Sequence, residues 1–125
     1  MSIPSLSSTT DRDVLHANPD RAQDLRKGDA EPLLICQHLF RAFAEAGVRY
    51  CHWKSNEHLL PGLTGDTDLD VLVDRCSSHH VQRVLADLDF KSFQATPFTR
   101  YPGIEDYLGF DPDTGKLVHL HLHHQ

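Results

Sequence analysis

Thr67-Asp68-Leu69-Asp70-Val71-Leu72-Val73 alternates acid and apolar residues, then becomes apolar throughout. Successive side chains of a strand point to opposite faces. The pattern therefore suits a strand that starts at a solvent-filled cleft and continues into a core. Asp68 and Asp70 stand two apart, so on a strand both carboxylates face the same way. Carboxylates held side by side repel each other unless a cation lies between them. Together they form a hard-oxygen platform for Mg²⁺, which keeps several waters and is completed by substrate phosphates. Phosphoryl or nucleotidyl transfer is the chemistry this suits. Such a pair is also common as two solvated acids near a turn. Here Leu69, Val71, Leu72 and Val73 build a strand directly behind it, and Gly65 with polar residues precedes it.

Working outward, Ser77 or Ser78 can cap a helix whose apolar face is Val81, Val84, Leu85 and Leu88. Residues 90–95 read as a strand, and residues 107–110 as another. Asp111-Pro112-Asp113-Thr114-Gly115 is a turn signal, with Asp111 and Asp113 serving the turn. Residues 116–123 complete a hairpin. Before the acid pair, residues 55–60 form a short helical or irregular segment that ends at Pro61-Gly62, and residues 48–53 read as a strand. Pro32 suits the first turn of a helix that carries Leu33, Cys36, Phe40, Phe43 and Ala44 on one face. Gly47 suits the left-handed residue after its end. Residues 1–30 are rich in Ser, Thr, Asp, Arg and Asn, too polar to offset their ordering entropy, and read as a disordered tail. The expectation is one α+β (α/β) domain over residues 31–125, a mixed sheet flanked by helices.

The whole chain has 125 residues, 39% hydrophobic and 24% charged, with a formal net charge of −6. That acidity argues against a broad nucleic-acid face, which is normally basic. A single phosphate site needs only a few local donors. Cys36, Cys51 and Cys76 are odd in number and widely spaced, as in a reduced, cytoplasmic protein. No stretch is apolar enough to span a membrane, and no secretory signal opens the chain.

Histidine occurs 10 times, and His119, His121, His123 and His124 lie in the last seven residues. His119, His121 and His123 alternate with Leu120 and Leu122, so on a strand they share one face. They suit a polar sheet face, a part in the site of Asp68 and Asp70, or a separate transition-metal site with one of those acids. Trp53 reads as core or cleft wall. Glu57 and His58 read as a solvated helical turn, and Arg75 and Arg100 as residues that can meet phosphate.

Trp53-Lys54-Ser55, followed after twelve residues by Asp68-Leu69-Asp70-Val71, resembles the signature of the polymerase-β-like nucleotidyltransferase superfamily. That signature has a glycine-containing turn, then acid-apolar-acid-apolar. A closer resemblance spans residues 49–125. The blocks are Tyr50-Cys51-His52-Trp53-Lys54-Ser55-Asn56-Glu57-His58-Leu59, Pro102-Gly103-Ile104-Glu105, Tyr107-Leu108-Gly109-Phe110 and Gly115-Lys116-Leu117-Val118-His119-Leu120-His121. They look like bacterial nucleotidyltransferase-like domains that precede a thymidylate-kinase-like domain. The chain itself lacks a GxxxxGK[ST] phosphate loop.

The resemblance implies that Asp68 and Asp70 hold Mg²⁺ or Mn²⁺ and that Lys54 and Ser55 contact the phosphates of a nucleoside triphosphate. His119 or His121 would assist as base or ligand, and the acceptor would be a small-molecule hydroxyl. The resemblance also implies association with a domain like thymidylate kinase, this chain being either a stand-alone copy or the front piece of a longer protein. Two departures stand out. Lys54 occupies a glycine position, and histidines fill the strand where a third carboxylate is expected. They leave two other readings open: an inactive binding or regulatory module, and a histidine-rich metal-dependent hydrolase.

Overall fold

The computed structural model describes residues 30–53, 56–94 and 96–125. The expected N-terminal tail, residues 1–30, lies outside the described residues except for residue 30. Helix α1 (Leu34–Glu45) leads through Gly47, at φ +68°, into β1 (Tyr50–His52). A 3₁₀ turn (Asn56–His58) and α2 (Leu59–Leu63) precede β2 (Leu69–Val73). A second 3₁₀ turn (Arg75–Ser77) opens α3 (Ser78–Asp87), which is followed by β3 (Lys91–Phe93), a 3₁₀ turn (Pro97–Thr99), β4 (Ile104–Asp111) and β5 (Lys116–His124).

The strands form one mixed sheet in the order β1-β2-β5-β4-β3. β2 and β5 are parallel neighbours, and the other pairs are antiparallel. Alternation along β2 and β5 sends Leu69, Val71, Val73, Val118, Leu120 and Leu122 into the core. They meet Ile35, Cys36, Leu39 and Phe43 of α1 and Val81, Val84 and Leu85 of α3. Full burial of such a side chain contributes about 1.5–3 kcal/mol, so this interleaved set is the main source of stability. Among the described residues the helices line one face of the sheet, as in an α+β domain. The other face carries Asp70, His119, His121 and His123, half-buried, beside the exposed Leu108, Phe110 and Leu117. Among the described residues no helix is long and apolar enough to cross a membrane. All three cysteines are free, and burial beside Asp111 pushes the Cys36 thiol up to about 12.

Several local boundaries differ from the sequence reading. α1 starts at Leu34, and its buried stripe is Ile35, Cys36, Leu39 and Phe43, while Ala44 is exposed. A step of one residue turns about 100° around a helix, which takes Ala44 off the face that Phe43 occupies. α2 runs through Pro61-Gly62 instead of ending there. Pro61 lies in the first turn of α2, where an N–H has no intrahelical acceptor, so proline costs no bond. Neither Ser77 nor Ser78 caps α3; Asp74 instead accepts from the Cys76 N–H at 2.9 Å and caps the 3₁₀ turn before it. β4 begins three residues earlier than expected, because its pairing with β5 continues to Ile104 opposite His123.

α1 has no capping side chain of its own. Its second N–H, from Ile35, donates to Asp111 Oδ1 at 3.1 Å, across 76 positions of sequence. The β4–β5 turn thereby holds the helix start. Gly109 sits where Ile35 of α1 and Phe90, after α3, press on β4: a Cβ there would lie 2.4 Å from Phe90 Cε1 and 2.8 Å from Ile35 Cδ1. Gly109→Ala is expected to destabilise by about 1–3 kcal/mol through overpacking, read as a lower urea midpoint at unchanged slope. An unchanged midpoint would refute the close packing of this strand.

Candidate active site

Strand register assembles the site. Asp70 of β2 lies opposite His121 of β5, and His121 lies opposite Asp106 of β4. These three residues form one rung across the open face. His119 and His123 flank His121 along β5, and Asp68 stands just before β2.

Side chains close the gaps. His119 Nδ1 is 2.9 Å from Asp68 Oδ1, and its Nε2 is 3.2 Å from Asp106 Oδ1. His121 Nε2 is 3.1 Å from the same Asp106 oxygen, and its Nδ1 is 3.4 Å from Asp70 Oδ1. His123 Nε2 approaches Asp70 Oδ1 at 3.1 Å. Three carboxylates and three imidazoles thus form one connected cluster. An imidazole donates from both nitrogens only as imidazolium. Protons on the rings, or a cation among the oxygens, can offset the three negative charges.

The loop before Asp68 is fixed by its own chemistry. Gly65 has φ +76°, and a Cβ there would lie 3.0 Å from Leu117 O, so only glycine lets the loop lie against β5. Asp66 accepts from Thr64 Oγ1 at 2.8 Å and pairs with Lys116 Nζ at 3.0 Å. The Thr64 hydrogen bond, followed by the hydrogen bond and charge of Lys116, holds the Asp66 carboxyl below its usual range. The Asp68 side chain is left 51% exposed, while that of Asp70 is only 12% exposed.

Aromatic rings wall the cluster on both sides. Trp53, 47% exposed, lies with its ring 6.0 Å from that of His123, and its backbone N–H donates to the Asp70 carbonyl oxygen at 3.0 Å. Phe93 of β3 lies 5.1 Å from the His119 ring. A cleft of about 380 Å³ opens over Asp70, Asp106 and the three histidines, with Arg100 on its rim. That size lies in the range of small-molecule sites.

Asp68, Asp70, His119 and His121, the predicted catalytic residues, therefore meet at one place. Lys54 and Ser55, the predicted phosphate contacts, lie outside the described residues. Arg75 follows β2 and does not line this cleft, and Glu57 and His58 are exposed on the 3₁₀ turn. Asp111 is fully buried and braces α1 as well as the turn, whereas Asp113 is exposed. Asp106 was missed. The turn at residues 111–115 fixes the hairpin register, and counting back five positions from Asp111 and forward five from Lys116 pairs Asp106 with His121. The signal was present, but a strand started at residue 107 excludes it.

The chemistry of these donors suits a divalent ion. One ligand atom from each of Asp68, His119 and His121 lies within 4.8 Å of the others. No protein-family model, curated protein or solved structure matches this chain.

Proposed function

We propose that the chain is a nucleotidyltransferase-like domain that moves a nucleotidyl group from a nucleoside triphosphate to a small-molecule hydroxyl. One observation carries this reading: Asp68, just before β2, Asp70 of β2 and Asp106 of β4 converge on the imidazoles of β5, on an open sheet face with a cleft above. The sequence resemblance calls for a third carboxylate near the acid pair, and Asp106 is in place to act as one.

Asp68, Asp70 and Asp106 would hold the cation, with His119 or His121 completing the set. A mixture of carboxylate and imidazole donors suits Mn²⁺ better than Mg²⁺. The ion, when bound, neutralises charge on the phosphates and lowers the cost of forming the attacking oxygen. The chain's own groups do the rest. With the cation and not ring protons balancing the acids, His119 would take the hydroxyl proton. The acceptor oxygen then bonds to the α-phosphorus, the α–β bridge breaks, and pyrophosphate leaves. Lys54 and Ser55 would meet the phosphates, as the sequence resemblance implies.

The competing reading, a binding module without chemistry, rested on an absent third acid and on Lys54 at a glycine position. Asp106 speaks against the first ground. Purified protein with Mn²⁺, each of four nucleoside triphosphates and a panel of hydroxyl compounds is expected to release pyrophosphate in step with a nucleotidylated product. Asp70→Asn should abolish both. Orthophosphate without such a product would favour the hydrolase reading, and binding without release of either would favour the module.

A further inference from the structure

On the β3 side of the cluster, a second cleft of about 310 Å³ adjoins the first. Phe93, Arg100, Tyr101, Ile104 and Asp106 line both. The second cleft adds Ser92, Gln94 and Glu105. Tyr101 is 71% exposed, a large ring that contributes little to the core. Among the described residues that line these clefts, Arg100 alone carries a fixed positive charge. Its guanidinium bonds Gln94 Oε1, a neutral partner, so its charge is not cancelled there.

We infer that this double cleft is the acceptor subsite and that it takes an anionic sugar. The inference rests on the nucleotidyltransferase reading above and adds the acceptor's chemistry to it. Trp53 stands beside His123 and Phe93 beside His119, at the two ends of the histidine row, and this second cleft lies on the Phe93 side, which leaves the Trp53 side to the donor. The lining chooses the class. Exposed aromatic rings offer flat apolar surfaces with a specific geometry. Carboxylate, amide and hydroxyl groups from Glu105, Gln94 and Ser92 suit a compound with several hydroxyls. Arginine pairs with a phosphate or carboxylate through two parallel hydrogen bonds. One arginine in a protein of net charge −6 favours one anionic group and disfavours a polyanion.

The test compares glucose 6-phosphate, glucuronate and glucose as ligands of the full chain by calorimetry, with and without Mn²⁺. At least one anionic sugar should bind about 10-fold or more tighter than glucose, since a hydrogen bond to a charged group is worth about 1.5–3 kcal/mol. The arm that binds names the anion. Arg100→Ala should erase the preference, Arg100→Lys should keep part of it, and Tyr101→Ala should weaken all sugars alike. An intact preference in Arg100→Ala, equal binding of glucose, or no binding of any of the three would overturn the assignment. Arg100-dependent preference in a protein that transfers no nucleotide would uphold the subsite while the transferase reading falls. Transfer to acceptors without regard to charge would do the reverse.

Discussion

Asp111→Ala is expected to lower the unfolding free energy by about 3–5 kcal/mol, a large share of a small domain's total. Asp111 has no exposed surface, yet it serves three donors. Its carboxylate accepts from the Ile35 N–H at 3.1 Å, the Thr114 N–H at 3.1 Å and Thr114 Oγ1 at 2.8 Å. Alanine would orphan the buried Ile35 N–H, at about 1–3 kcal/mol, and give up two hydrogen bonds from the exposed Thr114 to a charged group. It would also remove a negative charge from the start of α1, where the helix dipole favours one. Asp111→Asn should cost less, because it keeps an acceptor oxygen. Burial opposes ionisation of Asp111, but the Thr114 and Ile35 hydrogen bonds and the nearby His38 outweigh it, and its carboxyl lies below the usual range. A depressed folded value stabilises above the unfolded value of about 3.9 and loses that contribution as pH falls through the folded value. The gap between wild type and Asp111→Asn, measured by urea unfolding, should therefore be widest at neutral pH and narrow toward pH 3. A gap that is constant with pH would contradict the charged, buried carboxylate.

The second large effect has the opposite stability signature. Asp106→Asn should cut nucleotidyl transfer by about 100-fold or more, the scale of losing a group that supports a bound ion or developing charge. Stability should not fall with it, and should rise in buffer free of divalent ions. Asp106 shares its face with Asp70 and Asp68, within reach of the same two imidazoles. Removing one of three like charges relieves repulsion. A residue kept for folding would lose stability and activity together. Parallel loss of both in Asp106→Asn would mark this carboxylate as structural.

Much of the fold was legible because the strong patterns are local. The run at Leu69–Val73, the turn around Thr114-Gly115 and the alternation of His and Leu each carry their own period or turn chemistry. Asp68, Asp70, His119 and His121 could be chosen for the same reason. What was not legible depends on pairing. β3 is exposed at every position and carries no apolar alternation, so nothing in it shows that Phe93 walls a cleft. The helix-start bond from Asp111 joins residues 76 positions apart, and no cap rule reaches that far. Asp106 was hidden by a boundary error of three residues, since strand ends are set by the partner strand as much as by their own sequence.

The central claim is that carboxylates of β2 and β4 and imidazoles of β5 hold one divalent ion against a triphosphate. Electron spin echo modulation on protein loaded with one equivalent of Mn²⁺ and a non-hydrolysable nucleoside triphosphate tests this most directly. The expected result is nitrogen modulation from imidazole, lost when His119 and His121 are both replaced by alanine, together with phosphorus coupling from the nucleotide. Manganese that shows phosphorus coupling identical to the free nucleotide complex, with no nitrogen signal, would contradict it.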